Sequence, residues 1–415
     1  MRRKRLNFFV VIISVLLLGL QVAMVGYRSD FYQYDFRAFY IAANLFSAGG
    51  KPYSFDDLVR VSKGLGLSDN NHPFLYHPLT LFIFEPLSHL SYRAAYLLWL
   101  FLQVSSLAVI AWVCIRFFRI PARWLLPMMA IGLNGAIAAS LRAGQLTLMT
   151  LAMILLASVM IMRSRATAAT VLIVLCAIPK LWVAPALGLL LNRVSSRRIG
   201  LVASGVLAIL ATLGLSYYLA PDDFRKFLAA ADRLSGGSEP AGASNGSSRN
   251  MLASLAGTAG FGAARFELIW ILWLVSVCGI SLLAWTKLVK DDATPYPEFF
   301  SLLVLSICLL MPRMATYQWT LAIPALAHIL ATRPYPVAIP LAAISGMPTL
   351  YIGRYLLDRS IEARADTFLE IAFYFANFWS VLGTWLILCV SVLLFSSKRR
   401  RREKYRMHPV DLPSG

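Results

Sequence analysis

Apolar runs long enough to cross a membrane recur along the whole chain, and arginine and lysine gather at alternate ends of them. Residues 8–27 form the first run, behind the cluster Arg2-Arg3-Lys4-Arg5. It is long for a signal-peptide core, and no small-x-small cleavage site follows, so the pattern predicts a retained helix. Further spans are expected at 92–115, 124–141, 146–162, 199–220, 266–288, 298–311, 318–331, 336–352 and 371–396. Residues 166–192 are apolar but carry Pro179-Lys180 in their middle. They read as one kinked span or two short ones, and two short ones keep the basic clusters on one side. The expected fold class is all-α, a polytopic integral membrane helical bundle of about twelve spans. It forms a single transmembrane domain over 1–396, followed by a basic cytoplasmic tail at 397–415. No internal repeat of the kind common in transporters is visible.

The segments between spans carry patterns of their own. Residues 28–76 form the first outer loop. Within it Phe36, Phe39, Tyr40, Ala43 and Phe46 recur at helical spacing and stop at Gly49-Gly50. This predicts a short amphipathic helix in the interface, and 55–63 predicts a second. A purely anchoring role for these aromatics is the competing interpretation. Tyr76-His77-Pro78-Leu79 opens an apolar stretch to Leu90 with Glu85-Pro86 inside it. It is too short to span and is expected to dip into the membrane. Residues 221–265 form the second outer loop, with the linker-like runs Ser235-Gly236-Gly237-Ser238 and Ser244-Asn245-Gly246-Ser247-Ser248. Asn245-Gly246-Ser247 also matches a glycosylation sequon, a weak signal in itself. Residues 249–255 are expected to re-enter a helix.

Composition agrees with the membrane class. Hydrophobic residues make up 59% of the chain and charged ones 14%, against roughly 25% charged in soluble domains; mean hydropathy is +0.67. The net charge of +19, from 39 basic and 20 acidic residues, would suggest nucleic acid in a soluble protein. Here the basic residues flank apolar runs, at 2–5, 193–198 and 398–406, as the positive-inside bias requires. No nucleic-acid partner is expected. The five cysteines lie apart inside apolar segments, which indicates neither a zinc site nor a disulfide framework. No acidic cluster suited to a divalent metal is present, and no cofactor is expected.

With the N-terminus inside, the outer side gathers Asp35, Arg37, Tyr76, His77, Arg142, Gln145, Lys180, Arg313, Tyr317 and Gln318. Several come from short or broken segments, which would leave a depression in the surface. Ionisable groups at such depth usually serve function. Cations suit a phosphate, with Arg as a fork and Lys as a point charge, and a carboxylate suits proton removal from an attacking hydroxyl. Each has a plainer reading. Arg142 and Lys180 could snorkel to headgroups, Arg313 could be a boundary charge, and His77 could be a packed interfacial residue. Neither a phosphate-cradling loop, a zinc-protease His-Glu-x-x-His nor a serine-hydrolase elbow competes.

The segments Asp35-Phe36-Arg37-Ala38-Phe39-Tyr40-Ile41-Ala42-Ala43, Gly50-Lys51-Pro52-Tyr53, Tyr76-His77-Pro78-Leu79, Gly144-Gln145-Leu146-Thr147 and Pro179-Lys180-Leu181-Trp182-Val183-Ala184-Pro185 together resemble glycosyltransferase family 87. The likeness runs over roughly the first half; beyond it lies only Pro312-Arg313 to Gln318. One departure is His77, where many relatives carry proline. The resemblance implies the type C glycosyltransferase fold and a polyprenyl-phosphate sugar donor. The sugar, mannose-like or another hexose or pentose, would pass to a lipid-linked or glycan acceptor outside the plasma membrane, with inversion. It implies that Asp35 is the catalytic residue, a general base. Lys180, Arg142 and Arg313 would bind the donor phosphate and lipid, and Arg37, Tyr40, Tyr76, His77, Gln145, Tyr317 and Gln318 the substrates. A lipid flippase or transporter without chemistry is the alternative; it would need ionisable groups near the midplane, whereas these gather on one side.

Overall fold

A computed structural model describes residues 2–27, 33–67, 73–235, 245–290, 296–346 and 367–406. The beginning of the first outer loop, the glycine-serine run at 236–244, residues 347–366 with the end of the expected 336–352 span, and the end of the tail lie outside these residues. The described residues are mostly helical, with no strand among them. In chain order the α-helices are α1 (Arg2–Tyr27), α2 (Tyr34–Ser47), α3 (Phe55–Gly64), α4 (Thr80–Ser88), α5 (Tyr92–Arg116), α6 (Ala122–Ala143), α7 (Thr147–Met162), α8 (Ala166–Ala177), α9 (Ser196–Leu219) and α10 (Pro221–Ser235). They continue with α11 (Ser248–Thr258), α12 (Ala263–Lys290), α13 (Tyr296–Leu310), α14 (Ile323–Thr332), α15 (Tyr335–Gly346), α16 (Phe368–Tyr374) and α17 (Ala376–Arg406). Two 3-10 segments, Leu181–Asn192 and Thr316–Ala322, complete the set.

Six of these are long and apolar enough to cross a membrane: Arg5–Tyr27, Tyr92–Arg116, Ala122–Ala143, Ser196–Leu219, Ala264–Lys290 and Ala376–Leu394. Shorter apolar helices, including Thr147–Met162, Ala166–Ala177 and Tyr296–Leu310, occupy other expected positions. The protein is thus an all-helical membrane protein with six full-length candidate spans among the described residues. Residues 166–192 form two short pieces, α8 and a 3-10 segment, that part at Pro179-Lys180. A proline there removes one backbone donor and clashes with the preceding turn, so the helix stops.

Local capping explains several boundaries. The hydroxyls of Ser54, Ser91, Ser195 and Ser247 accept from the backbone N–H groups of Asp57, Ala94, Arg198 and Asn250, satisfying donors that a helix start leaves unpaired. Thr367 and Glu370 form a reciprocal capping box at α16. The bundle packs around α6, which touches α1, α5, α14, α15 and the second 3-10 segment. Inside α6 the backbone leaves helical geometry at Gly132 and turns left-handed through Leu133, Asn134 and Gly135. Asn134 Nδ2 donates to Asn377 Oδ1 of α17 at this break.

The second outer loop is more ordered than its composition suggests. Residues 221–235 form α10, which opens with Pro221 and carries Asp222 and Asp223 in its first turn, both favourable at a helix N-terminus. Residues 245–248, expected as linker, are buried. Asn245 Oδ1 accepts from Met314 N–H at 3.0 Å, Ser247 Oγ donates to the Pro312 carbonyl at 2.7 Å, and Ser248 Oγ to that of Leu309 at 2.7 Å. Short Asn and Ser side chains bond backbone readily, and here the backbone is distant in sequence. With Asn245 1% exposed, the glycosylation reading has no accessible amide.

Candidate active site

An aromatic wedge fixes α2 in the bundle. Phe36 stacks on Trp99 at 5.2 Å between centroids, Phe39 stacks on Phe84 at 4.6 Å, and Tyr76 meets Phe39 edge-on at 4.7 Å. Trp99 Nε1 donates to the Gly144 carbonyl at 2.8 Å. These contacts tie the buried face of α2 to α4, α5 and the α6–α7 turn. Gly144 must be glycine on two counts. Its φ is +71°, and a Cβ there would lie 2.8 Å from Phe36 Cβ and 2.9 Å from Gln33 Cβ. The Gln33 N–H donates to the Arg142 carbonyl in the same turn. The first turn of α2, which carries Asp35, is therefore pinned against Gly144-Gln145.

Asp35 opens onto a cavity of about 740 Å³. The extended stretch ahead of α4 contributes Tyr76 and His77, the α6–α7 turn Gln145, and the break after α8 Lys180 and Trp182. The loop after α13 and its 3-10 segment contribute Arg313, Tyr317 and Gln318. Gln145 Nε2 donates to Asp35 Oδ2 at 2.5 Å. Gln145 Oε1 accepts from the Tyr76 hydroxyl at 2.7 Å and from Lys180 Nζ at 3.1 Å. Lys180, 6% exposed, also points Nζ at Thr147 Oγ1, 3.5 Å away. Its ammonium lies 5.6, 5.6 and 6.0 Å from the ring centres of Tyr76, Trp182 and Tyr317, a cation held by aromatic faces.

The electrostatics follow from burial. Desolvation brings the Lys180 ammonium, in the turn between two short helical pieces, down to about 7; Asp35 pulls it back up and Arg313 depresses it further. Burial likewise raises the phenols of Tyr76 and Tyr317, with Asp35 adding to both. His77 is lowered by burial to about 4, so it is neutral near pH 7. Its Nδ1 lies 3.5 Å from Ser216 Oγ, and its ring meets Phe224 and Phe227 of α10 edge-on.

Of the eleven site residues expected from sequence, eight line this cavity: Asp35, Tyr76, His77, Gln145, Lys180, Arg313, Tyr317 and Gln318. Gln318 Oε1 accepts from the Ala315 N–H at 2.6 Å, so it braces its own turn. Arg37 and Tyr40 do not reach the cavity. Both are buried on faces of α2 turned away from the cavity, and the Tyr40 hydroxyl donates to the Leu90 carbonyl at 2.7 Å. Arg142 lines a separate hollow of about 470 Å³ with Gln21, Met24 and Asn134. Tyr53, Trp182, Lys226 and Phe227 line the cavity without having been singled out. Tyr53 and Trp182 lie inside the quoted motifs. Lys226 and Phe227 were hidden by reading 221–235 as part of an outer loop, although Pro221-Asp222-Asp223 is a helix-start signal.

The arrangement can hold an anion against Lys180 and Arg313, and it keeps one carboxylate beside that anion in a partly apolar hollow. Comparison with known proteins identifies a family. The profile of glycosyltransferase family 87 matches residues 74–312, which carry Tyr76, His77, Gln145 and Lys180; Asp35 and Arg313 fall outside the matched stretch. A search of curated proteins finds no match. Because the family match spans more than half of the chain, from the edge of the cavity through the bundle that builds it, the protein belongs to glycosyltransferase family 87 and is a membrane enzyme that transfers sugars.

Proposed function

We propose that the enzyme moves a sugar from a polyprenyl-phosphate donor to a hydroxyl of an envelope glycan or glycolipid, with inversion at the anomeric carbon. The observation that carries this reading is one cavity bordered by both the Asp35 carboxylate and the Lys180 ammonium, bridged through Gln145. The donor phosphate lies against Lys180 and Arg313, and its prenyl chain runs to the membrane. The acceptor oxygen attacks the anomeric carbon from the opposite face and yields its proton to Asp35. The bond from that carbon to the phosphate oxygen breaks, and the lipid phosphate leaves with the electron pair. A phosphate leaves without an acid catalyst, so one carboxylate is enough. A double displacement would need a second one close by, and Asp35 is the only acidic residue among the described cavity-lining residues.

The site faces the outer side of the plasma membrane in this reading. The cavity sits at the helix ends opposite Arg116, Arg163 and Arg193, the ends that the charge bias assigns to the cytoplasm. The test uses the purified full chain in lipid nanodiscs, with synthetic polyprenyl-phosphate mannose or arabinose as donor and extracted envelope lipids as acceptor. Asp35→Asn is expected to cut transfer by about 10²-fold or more while expression and donor binding persist. Wild-type rates from that variant would remove Asp35 from its role. Mass spectrometry of envelope lipids from a deletion strain should find a product short by one sugar.

A further inference from the structure

Gln145 was expected to bind substrate, yet its side-chain hydrogen bonds run to protein. It is 3% exposed, and its amide touches Asp35, Tyr76 and Lys180. The direction of that amide follows from chemistry. An ammonium can only donate, so the atom facing Lys180 is the oxygen and the atom facing Asp35 is the N–H donor. The backbone of Gln145 is held as firmly. Its N–H donates to the Ser140 carbonyl at 3.2 Å, and its own carbonyl accepts from Gln103 Nε2 at 3.2 Å. Gln103 Oε1 accepts from Gln33 Nε2 at 3.0 Å, and Gln33 stands two residues ahead of the acid. Three glutamines therefore link the α6–α7 turn to the root of Asp35.

We propose that Gln145 is a positioning residue for Asp35: its N–H aims the carboxylate, and its carbonyl holds Lys180 one amide away from it. This rests on the reading of Asp35 as the base. A neutral amide orients the carboxylate without adding a charge to it and leaves the Lys180 ammonium able to meet an anion. The other ionisable groups acting on this region are Tyr34, Tyr76, Arg142, Lys180, Arg313 and Tyr317; none of them changes in the variants that follow.

Two variants of the full chain in nanodiscs test the assignment. Gln145→Glu keeps the size and the acceptor atoms for Tyr76 and Lys180 but puts a second carboxylate against Asp35. Gln145→Leu removes all three side-chain bonds. The first readout is an infrared pH titration in which the Asp35 carboxyl band is recognised by its loss in Asp35→Asn. In Gln145→Glu the Asp35 midpoint should rise by about one pH unit or more, as expected for adjoining carboxylates. The acid limb of kcat should move with it, and KM for polyprenyl-phosphate mannose should rise, because the new carboxylate also meets Lys180. In Gln145→Leu kcat should fall by about tenfold or more through lost alignment. If both variants keep the wild-type midpoint and profile, Gln145 is not a positioning residue, even with Asp35→Asn inactive. If Asp35→Asn itself transfers at the wild-type rate, the base reading fails instead, whatever the infrared midpoint does.

Discussion

Lys180 carries the clearest pH consequence of any single residue. Its ammonium, held at about 7 chiefly by burial, loses its charge as pH rises through that value, and with it the attraction for a phosphate. Asp35 must be ionised to accept a proton, so kcat/KM should rise with pH on the acid side and fall on a limb near pH 7. An arginine stays charged far above that range, so Lys180→Arg should move the falling limb to higher pH. A pH series on both enzymes checks this, and an unmoved limb would assign it to another group. Gly144→Ala should depress activity and thermal stability together, because the added methyl meets Phe36 and Gln33. The left-handed backbone alone costs an alanine about 1 kcal/mol. The split of α2 is residue-scale geometry as well. Asp35, Ala38 and Phe39 line the cavity at i, i+3 and i+4, which is one helix face; Arg37 is two residues on and faces away. Sequence spacing contained that distinction, but which face of α2 meets the cavity depends on where α4 and α5 pack.

Two elements do most of the positioning. The aromatic wedge makes α2 part of the core, so Trp99→Ala should destabilise the protein by about 3–5 kcal/mol and release the Gly144 carbonyl from its donor. Thermal unfolding in detergent should fall accordingly, and transfer should fall with it. The second element is α10, whose Phe224 and Phe227 close over His77. Replacing both with alanine should rehydrate the imidazole and return its pKa from about 4 toward the ordinary value of about 6.5. Carbon-13 NMR of labelled histidine, assigned with His77→Gln, would follow the change; a midpoint still near 4 would mean that other contacts keep the ring dry. Hydropathy gave no sign of α10 as a cavity wall, because an amphipathic helix outside the membrane is short, polar on average and flanked by serine and glycine.

At the scale of the whole molecule, the basic clusters and the cavity lie at opposite ends of the helices. In a cysteine-free background, Arg225→Cys on α10 should react with a membrane-impermeant thiol reagent added outside intact cells. Arg197→Cys should react only after permeabilisation. Labelling of both from the same side would overturn the orientation. The long apolar runs, their breaks at proline, and the alternation of cationic ends were all determined by sequence alone. Each is a local balance between burying backbone polar groups in helices and keeping charge out of lipid. That balance does not depend on which helix neighbours which. Only the tertiary structure decided that Gln145, 110 residues beyond Asp35, donates a hydrogen bond to it, and that Arg142 belongs to a different hollow. It also decided that the serines and asparagine at 245–248 hold the Pro312-Met314 segment beside the cavity. Those are contacts between loops distant in sequence, set by how the helices that carry them pack, and no local pattern encodes packing of that range.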